Sequence, residues 1–486
     1  MATSPRIAII GAGFGGLGMA IRLRGAGVES FTVYDKAADV GGTWLVNTYP
    51  GLSCDVPSYL YSFSFAPSTR WTRRYPEQRE ILAYLRRCAD SHGLRPHLRL
   101  NTEVTEARFE DGTGTWRLVL ADGTEEEADV VVFATGQLSR PRLPDIPGAE
   151  DFAGTAFHSA RWRHDHDLTG RSVAVIGNGS TAAQFVPRIA PVAGKLTTFQ
   201  RTPSWIVPKN DFPYRPWARR LLRYVPGLRR AYRWSLFWRQ EVMMLPIVLP
   251  AVGRIAERRW AGAFLREQVR DPELRRRLTP DYPIGCKRVV IAGDYYAALT
   301  RPDVELVSEP IERITPTGVR TADGRLHEAD TLIYATGFRA TEFLAPVEVT
   351  GRGGRKLAET WSDGASAFLG MTVPGFPNLF MMYGPNTNLG HSSIVLMLEH
   401  QAGYILRCVR LMMRHRLAWM EVREEAMAAY DRLVQEALSR TSWQGGCTSW
   451  YKTASGRVTN NWPFSTLRYG RLTRRPRPEH YHVKAA

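Results

Sequence analysis

Two copies of one strand–turn–helix motif constrain this 486-residue chain more than any other feature. In the first copy an apolar strand enters the turn at residues 11–16, Gly-Ala-Gly-Phe-Gly-Gly; in the second a strand enters residues 177–182, Gly-Asn-Gly-Ser-Thr-Ala. Such a turn lets the backbone approach a pyrophosphate at the N-terminus of the following helix. One copy is a weak signal. Two copies on one chain indicate two dinucleotides, one of which passes electrons to the other.

The residue that follows the second strand differs between the two units. Asp35 lies 35 − 16 = 19 positions past Gly16, which is where an acidic residue binds the ribose hydroxyls of adenosine. Arg201 lies 201 − 182 = 19 positions past Ala182. An arginine can bind a 2′-phosphate that a carboxylate would repel. The first unit therefore predicts FAD binding and the second predicts NADPH binding.

A second internal repeat supports two units of one architecture. Residues 121–136 contain Ala-Asp-Gly and end in Ala-Thr-Gly, and residues 322–337 repeat both features. A proline-rich linker at residues 139–148 separates the units. We predict an α/β fold with two nested Rossmann-like dinucleotide-binding domains and a helical insertion. The expected boundaries are 1–145 and 338–486 for the FAD-binding domain, 146–337 for the NADP-binding domain, and about 205–280 for the insertion.

The insertion is rich in Arg and Trp, with a break at Pro226 and Gly227. We expect its Trp residues, together with Met243 and Met244, to pack mainly in the core. Walling a substrate tunnel and touching a membrane are the alternatives. The tail from Arg474 onward is expected to be loose.

Composition limits the remaining classes. The formal charge of 64 − 47 = +17 suits phosphate-bearing ligands or an anionic membrane surface, and a solvated arginine-rich surface explains it equally well. The five cysteines are scattered and form no CxxC pair. This pattern predicts a reducing compartment, no disulfide framework and no zinc or other metal site.

Targeting signals are also not expected. The apolar N-terminus is interrupted by its Gly-rich turn, and no apolar stretch reaches the roughly 18 residues of a membrane span. We expect a cytoplasmic protein with no nucleic-acid partner, and we do not expect contact with a membrane surface. The oligomeric state stays open.

Between the two units, residues 152–162 read Phe-x-Gly-x-x-x-His-x-x-x-Trp. This pattern resembles the fingerprint of the Baeyer–Villiger monooxygenases, which are class B flavoprotein monooxygenases related to the flavin-containing monooxygenases. The chain departs from the family pattern at Arg163, after the fingerprint Trp, and at Ser53, where an arginine is common. The resemblance extends to residues 41–44, 49–51, 54–55, 200–203, 287–288 and 295–296.

The resemblance implies roles for particular residues. Arg288 corresponds to the active-site arginine beside the flavin and nicotinamide, and Asp55 to the carboxylate that orients it. Lys287 and Arg201 would hold the NADPH phosphate, and Trp450 resembles the tryptophan of a mobile loop that closes over NADP. The full set of expected cofactor-binding residues is Gly11, Gly13, Phe14, Gly16, Asp35, Lys36, Gly42, Thr43, Trp44, Asp55, Tyr61, Val104, Gly177, Gly179, Ser180, Thr181, Ala182, Arg201, Thr202, Lys287 and Trp450.

The implied activity is an NADPH- and O2-dependent insertion of one oxygen atom next to a ketone carbonyl through a C4a-peroxyflavin. The expected substrate is a small hydrophobic organic molecule. An arginine suits this chemistry because its guanidinium keeps its proton while stabilising anions. The alternatives are N- or S-oxygenation by a flavin-containing monooxygenase, a pyridine nucleotide–disulfide reductase, which needs a redox-active cysteine pair, and a non-catalytic flavoprotein.

Overall fold

The fold is described by a computed structural model over residues 4–486. The strands are β1 Ile7–Ile10, β2 Phe31–Tyr34, β3 Leu98–Arg99, β4 Val104–Glu110, β5 Thr115–Leu120, β6 Glu125–Ala128, β7 Val130–Phe133, β8 Thr155–His158, β9 Ser172–Ile176, β10 Lys195–Phe199, β11 Ile206–Pro208, β12 Val290–Ala292, β13 Val304–Val307, β14 Ile311–Thr315, β15 Gly318–Thr321, β16 Leu326–Glu328, β17 Thr331–Tyr334, β18 Glu348–Thr350, β19 Leu379–Met381, β20 Leu417–Val422 and β21 Tyr481–Ala485. The helices are α1 Phe14–Arg24, α2 Thr43–Val46, α3 Gln78–Ser91, α4 Ser180–Ile189, α5 Pro216–Tyr224, α6 Leu228–Val242, α7 Leu245–Val248, α8 Pro250–Ala256, α9 Gly262–Gln268, α10 Pro272–Arg277, α11 Tyr295–Leu299, α12 Leu357–Thr360, α13 Ile394–His415, α14 Glu424–Ser439 and α15 Thr466–Leu472.

The first motif lies at the centre of a parallel sheet with the order β19-β7-β1-β2-β3. Ile7 of β1 pairs with Phe31 of β2 on one side and with Val130 of β7 on the other. Every residue of β1 and β7 is buried, as in parallel strands that are covered on both faces. The Gly-rich turn after β1 therefore opens at the carboxyl edge of this sheet.

The second motif lies at the centre of a sheet with the order β13-β10-β9-β17-β8. Val173 of β9 pairs with Leu196 of β10 and with Thr331 of β17. The strands β9, β10 and β17 thus occupy the positions that β1, β2 and β7 hold in the first sheet. The predicted α/β fold with two Rossmann-like units is confirmed.

Each unit also contains an antiparallel meander before its Ala-Thr-Gly strand. The strands β4, β5 and β6 precede β7, and β14, β15 and β16 precede β17. The final turns contain Gly123 and Gly324, with φ of +84° and +83°, a region that favours glycine. The repeat in the sequence therefore corresponds to a repeat in the structure.

The C-terminal part of the chain completes the first sheet. Leu379 of β19 pairs with Val131 of β7, and α13 packs against α1. The expectation of a loose tail was wrong, because β21 pairs with β20. Tyr481 is buried, and its hydroxyl lies 2.6 Å from that of Tyr404 on α13. A five-residue strand whose partner lies far back along the chain carries no sequence signal of its own.

The insertion is helical, as predicted, and consists of α5 to α10 between β11 and β12. The predicted break at residues 226–227 falls between α5 and α6. Met244 is buried, but Trp217, Trp234 and Trp238 are 59%, 50% and 51% exposed. The expectation that these tryptophans pack in the core was wrong. Among residues 4–486, no helix has both the length and the apolar character needed to cross a membrane.

The close approach of the first turn to β7 predicts an unequal response to two glycine substitutions. Gly11 has φ +111°, and an added Cβ would lie 2.5 Å from the carbonyl oxygen of Ala134. Gly27 has φ +77° with no atom within 4 Å of an added Cβ. Gly11→Ala should therefore lower the free energy of unfolding by about 2–4 kcal/mol, and Gly27→Ala by about 1–2 kcal/mol. Equal losses in urea unfolding would contradict the steric constraint.

Candidate active site

A cleft of about 1800 Å³ lies between the two parallel sheets. It is lined by both Gly-rich turns, by residues 52–56 and by a loop at residues 444–456. In open α/β sheets, ligands bind at the carboxyl ends of the strands where the strand order reverses. The position of this cleft makes it the candidate active site.

The first turn forms one end of the cleft. The Asp35 carboxylate accepts hydrogen bonds from the backbone amides of Ala12, at 2.6 Å, and Ala37, at 2.8 Å, and so holds the turn against β2. Gly13 faces Gly42 so closely that a Cβ added to Gly42 would lie 3.0 Å from the Gly13 Cα. Bare backbone at the start of α1 next to a carboxylate fits the pyrophosphate and ribose of FAD.

The second turn forms the opposite side of the cleft. A Cβ added to Gly179, just before α4, would meet no atom within 4 Å, so the space at this helix N-terminus is open. Arg201 and Lys287 line the same region, and neither forms an ion pair within residues 4–486. The Lys287 ammonium donates to the Thr202 hydroxyl, and burial together with Arg201 lowers the pKa of Lys287. Two cations without a carboxylate partner fit the 2′-phosphate of NADPH.

An ion pair spans the cleft between the two units. Arg288 precedes β12, and its Nη2 donates to Oδ2 of Asp55, which lies 233 residues earlier. Attraction to Asp55 raises the pKa of Arg288 against the effect of burial. Burial alone would raise the pKa of Asp55, but the charge and hydrogen bond of Arg288 outweigh it and lower the pKa. Both side chains therefore stay ionised near neutral pH.

Two tyrosines, Tyr383 and Tyr451, lie close enough to Arg288 for its charge to affect their pKa. Burial raises the pKa of Tyr451 to about 12, with Arg288 acting in the opposite direction. Burial also raises the pKa of Tyr383, whose hydroxyl donates to Oδ1 of Asn388 at 2.7 Å. Both phenols therefore remain neutral beside the guanidinium. Nothing in the sequence separated these two tyrosines from the other tyrosines of the chain.

Lys209 is a charged residue of the site that sequence reasoning missed. It follows β11, and its Nζ donates to the Ser53 hydroxyl at 2.5 Å. Burial lowers the pKa of Lys209, while attraction to Asp55 opposes that effect. Lys209 therefore provides a cation next to Ser53. Ser53 is the position at which an arginine is common in the family pattern. Its position in the sequence, at the start of the insertion, offered no signal for this role.

The loop at residues 444–456 carries Trp450, whose ring centroid lies 4.4 Å from that of Tyr451. In the same loop Cys447 forms a disulfide with Cys286, two residues before Arg288. The expectation of no disulfide framework was wrong for this pair, because spacing along the chain does not reveal which loops meet at a cleft. Cysteine usage therefore does not indicate a reducing compartment for this protein. The free cysteines are Cys54, Cys88 and Cys408, all buried.

The fingerprint residue His158 ends β8 at the linker between the units. Its Nδ1 accepts from the amide of Ala160 at 3.1 Å, its ring packs 5.8 Å from that of Phe338, and burial lowers its pKa. Arg163 points to the surface, where it pairs with Asp165 at 2.6 Å. The departure from the family pattern at Arg163 therefore does not reach the cleft.

Four of the expected cofactor-binding residues do not line the cleft. Gly16 and Ala182 lie behind the turns, where Ala182 is fully buried. Lys36 pairs with Glu103 at the surface, and Val104 is buried in β4. The structure brings the others together at the cleft, along with the active-site candidate Arg288: Gly11, Gly13, Phe14, Asp35, Gly42, Thr43, Trp44, Asp55, Tyr61, Gly177, Gly179, Ser180, Thr181, Arg201, Thr202, Lys287 and Trp450.

Comparison with known structures finds the same fold over the whole chain. A structure of OTEMO in complex with FAD and NADP covers 99% of this chain and 100% of its own, with a TM-score of 0.89 at 28% identity. A closed structure of cyclohexanone monooxygenase matches with a TM-score of 0.88 at 29% identity, covering 100% of both chains. A steroid monooxygenase bound to NADP matches at 0.86 and 31% identity, also covering 100% of both.

Sequence comparison agrees. The family model described as pyridine nucleotide-disulphide oxidoreductase matches residues 8–226. A Baeyer–Villiger monooxygenase of Streptomyces coelicolor is 45% identical, over 98% of this chain and 92% of the relative. Another, of Pseudomonas aeruginosa, is 43% identical, over 98% of this chain and 91% of the relative. This chain belongs to the Baeyer–Villiger monooxygenase family.

Proposed function

We propose that the protein is an FAD-containing monooxygenase that uses NADPH and O2 to convert a hydrophobic ketone into an ester or lactone. The observation that carries this proposal is the Asp55–Arg288 ion pair in the cleft between two nucleotide-binding turns. When bound and reduced, FAD would supply an oxygen atom derived from O2. The residues of this chain would bind the two cofactors, hold the ketone and stabilise negative charge.

The proposed division of labour follows the two units. The first turn, Asp35 and the loop around Gly42 would hold FAD, and the second turn with Arg201 and Lys287 would hold NADPH. We propose domain boundaries of 1–145 and 338–486 for FAD and 146–337 for NADP. We also propose a cytoplasmic location.

Arg288 is the proposed catalytic residue. Its guanidinium keeps its proton at any working pH, so it can hold negative charge that develops on oxygen during attack on the carbonyl. Asp55 is a positioning residue that fixes the direction of the guanidinium. The neutral Tyr383 and Tyr451 and the loop at residues 444–456 would limit the entry of water, which strengthens such electrostatic contacts.

Product analysis tests this function. The purified holoenzyme would receive NADPH, isotopically labelled O2 and either a cyclic ketone or a thioether. The proposal predicts a lactone that carries one labelled oxygen atom. A labelled sulfoxide with no lactone from any of a panel of ketones would instead support the heteroatom-oxygenating alternative.

One observation favours a second candidate, a disulfide reductase: the Cys286–Cys447 disulfide lies beside the cleft. In the oxygenation that we propose, this disulfide takes no part in electron transfer. The double variant Cys286→Ser/Cys447→Ser should therefore keep NADPH-dependent lactone formation, and Cys88→Ser serves as the control. Loss of NADPH oxidation in the double variant alone, with FAD still bound, would support the reductase.

Asp55→Asn tests the positioning role. The amide keeps the shape of the carboxylate but removes its charge, so the guanidinium loses its fixed direction and kcat should fall on the order of 100-fold. The KM for NADPH should change little. Asp303→Asn, which breaks the Arg301–Asp303 pair outside the cleft, should leave kcat unchanged. Equal kcat values for Asp55→Asn and the parent would contradict the role.

Arg201→Gln tests the second turn. Loss of a charged hydrogen bond to the 2′-phosphate should lower kcat/KM for NADPH roughly 10- to 100-fold, with kcat/KM for NADH unchanged. The matched control is Arg320→Gln, which removes an exposed arginine on β15 outside the cleft. A parallel loss with both nucleotides would show that Arg201 supports the fold and does not select the phosphate.

A further inference from the structure

The helical insertion concentrates exposed apolar side chains. Within residues 4–486, 21 large hydrophobic residues are exposed, and twelve of them lie between residues 217 and 260. Single exposed apolar residues are ordinary, but a cluster of this kind marks an interaction surface. We call this set, with the exposed arginines between residues 215 and 259, the aromatic–arginine face. The apolar members are Trp217, Leu221, Tyr224, Val225, Leu228, Trp234, Trp238, Val242, Leu245, Leu249, Ile255 and Trp260.

The face is organised by helix geometry. On α5, Trp217, Leu221 and Tyr224 follow the i, i+4, i+7 spacing that puts side chains on one side of a helix. On α6, Trp234 and Trp238 are four residues apart and stack with ring centroids at 6.4 Å. The two helices pack against each other. Exposed aromatic and aliphatic side chains therefore lie on both helices of this packed pair.

The charge of this segment is strongly positive. Residues 215–260 contain eleven arginines and two acids, 11 − 2 = +9, which is more than half of the total of +17. Both acids are used internally: Glu241 accepts from the Thr466 hydroxyl at 2.6 Å, and Glu257 accepts from the Ile284 amide at 2.8 Å. Within residues 4–486, Arg233 is the single arginine of this segment that pairs with a carboxylate. The face thus offers cations with no compensating charge.

We infer that the aromatic–arginine face docks on an anionic membrane surface. Trp and Tyr side chains favour the headgroup level of a bilayer, and arginines beside them attract anionic lipid headgroups. Helices with an apolar side and a basic rim lie in this interface without crossing the bilayer. The sequence alone did not predict this contact with a membrane surface.

The composition of the face favours lipid over other occupants. One alternative occupant is a nucleic acid, but exposed Leu, Val and Ile side chains make no favourable contact with its phosphodiester backbone. The same side chains can enter the acyl boundary of a bilayer. A second copy of this chain would bring two faces of charge +9 together, and like charges repel. Binding to nucleic acid and pairing with a second copy are both outcomes that the test distinguishes from lipid binding.

The short helix α7 lies between the face and two segments that adjoin the cleft, in which Lys287 and Leu389 are lining residues. Leu245 and Leu249 are exposed on the face, while Ile247 between them is buried. A Cβ added to Gly285 would lie 3.1 Å from Ile247 Cγ1, and one added to Gly390 would lie 3.4 Å from its Cδ1. Docking would therefore place lipid one helix away from the Arg288 segment. If the proposed function holds, an apolar ketone could reach the cleft from the membrane.

Vesicle flotation of the purified holoenzyme tests the inference. The protein should float with vesicles rich in phosphatidylglycerol at low salt and stay in solution with phosphatidylcholine vesicles. Arg220→Gln/Arg223→Gln should weaken binding on the order of tenfold or more. The matched control Arg474→Gln/Arg475→Gln makes the same charge change at exposed positions in the tail and should bind like the parent. Trp217→Ser/Trp238→Ser should also weaken binding.

Each contrary outcome overturns the inference in a recognisable way. No flotation of the parent protein, or an equal loss in the tail variant, would exclude a specific lipid face. A dimer in the parent that Trp217→Ser/Trp238→Ser dissociates, without lipid binding, would assign the face to a second copy. Salt-sensitive binding of a DNA duplex in place of vesicles would assign it to nucleic acid. Bound FAD and the midpoint of urea unfolding confirm that each variant is folded, so the test does not depend on the proposed activity.

Discussion

The ion pair between Asp55 and Arg288 is the interaction on which the site depends. It joins loops 233 residues apart, one from each nucleotide-binding unit. A partly buried charge that loses its partner is costly, so each side chain fixes the other's position and protonation state. Two further features stabilise the surroundings of this ion pair. Lys209 adds a second cation beside Asp55. The Cys286–Cys447 disulfide links the Arg288 segment to the loop that carries Trp450.

The parts of this arrangement that local chain geometry dictates could be predicted from the sequence. Gly11 and Gly177 must lie against a neighbouring strand, and this requirement produces a recognisable pattern of glycines in the sequence. The acid or cation after the second strand of each unit lies at a fixed spacing from that pattern. The repeat that ends in Ala-Thr-Gly located β7 and β17, which lie beside the central strands β1 and β9. These features depend on residues close to one another along the chain.

The parts that depend on distant segments could not be predicted. Lys209 acquires its role only when β11 brings it to Ser53, and Cys286 meets Cys447 only because two loops converge. The exposure of Trp217 and Trp238 reverses the usual preference of tryptophan for the interior. A functional surface is the physical reason for a sequence to depart from that preference, and periodicity alone gives no sign of which side of a helix is uncovered.

A double-mutant cycle on Asp55 and Arg288 tests the central claim most directly. Product formation, as kcat/KM for the ketone, would be compared in Asp55→Asn, Arg288→Gln and the double variant, with FAD content verified in each. If the two residues act as one unit, the double variant loses about as much activity as Arg288→Gln alone. If the two losses multiply, Asp55 does not act through Arg288, and the ion pair is not the basis of the site.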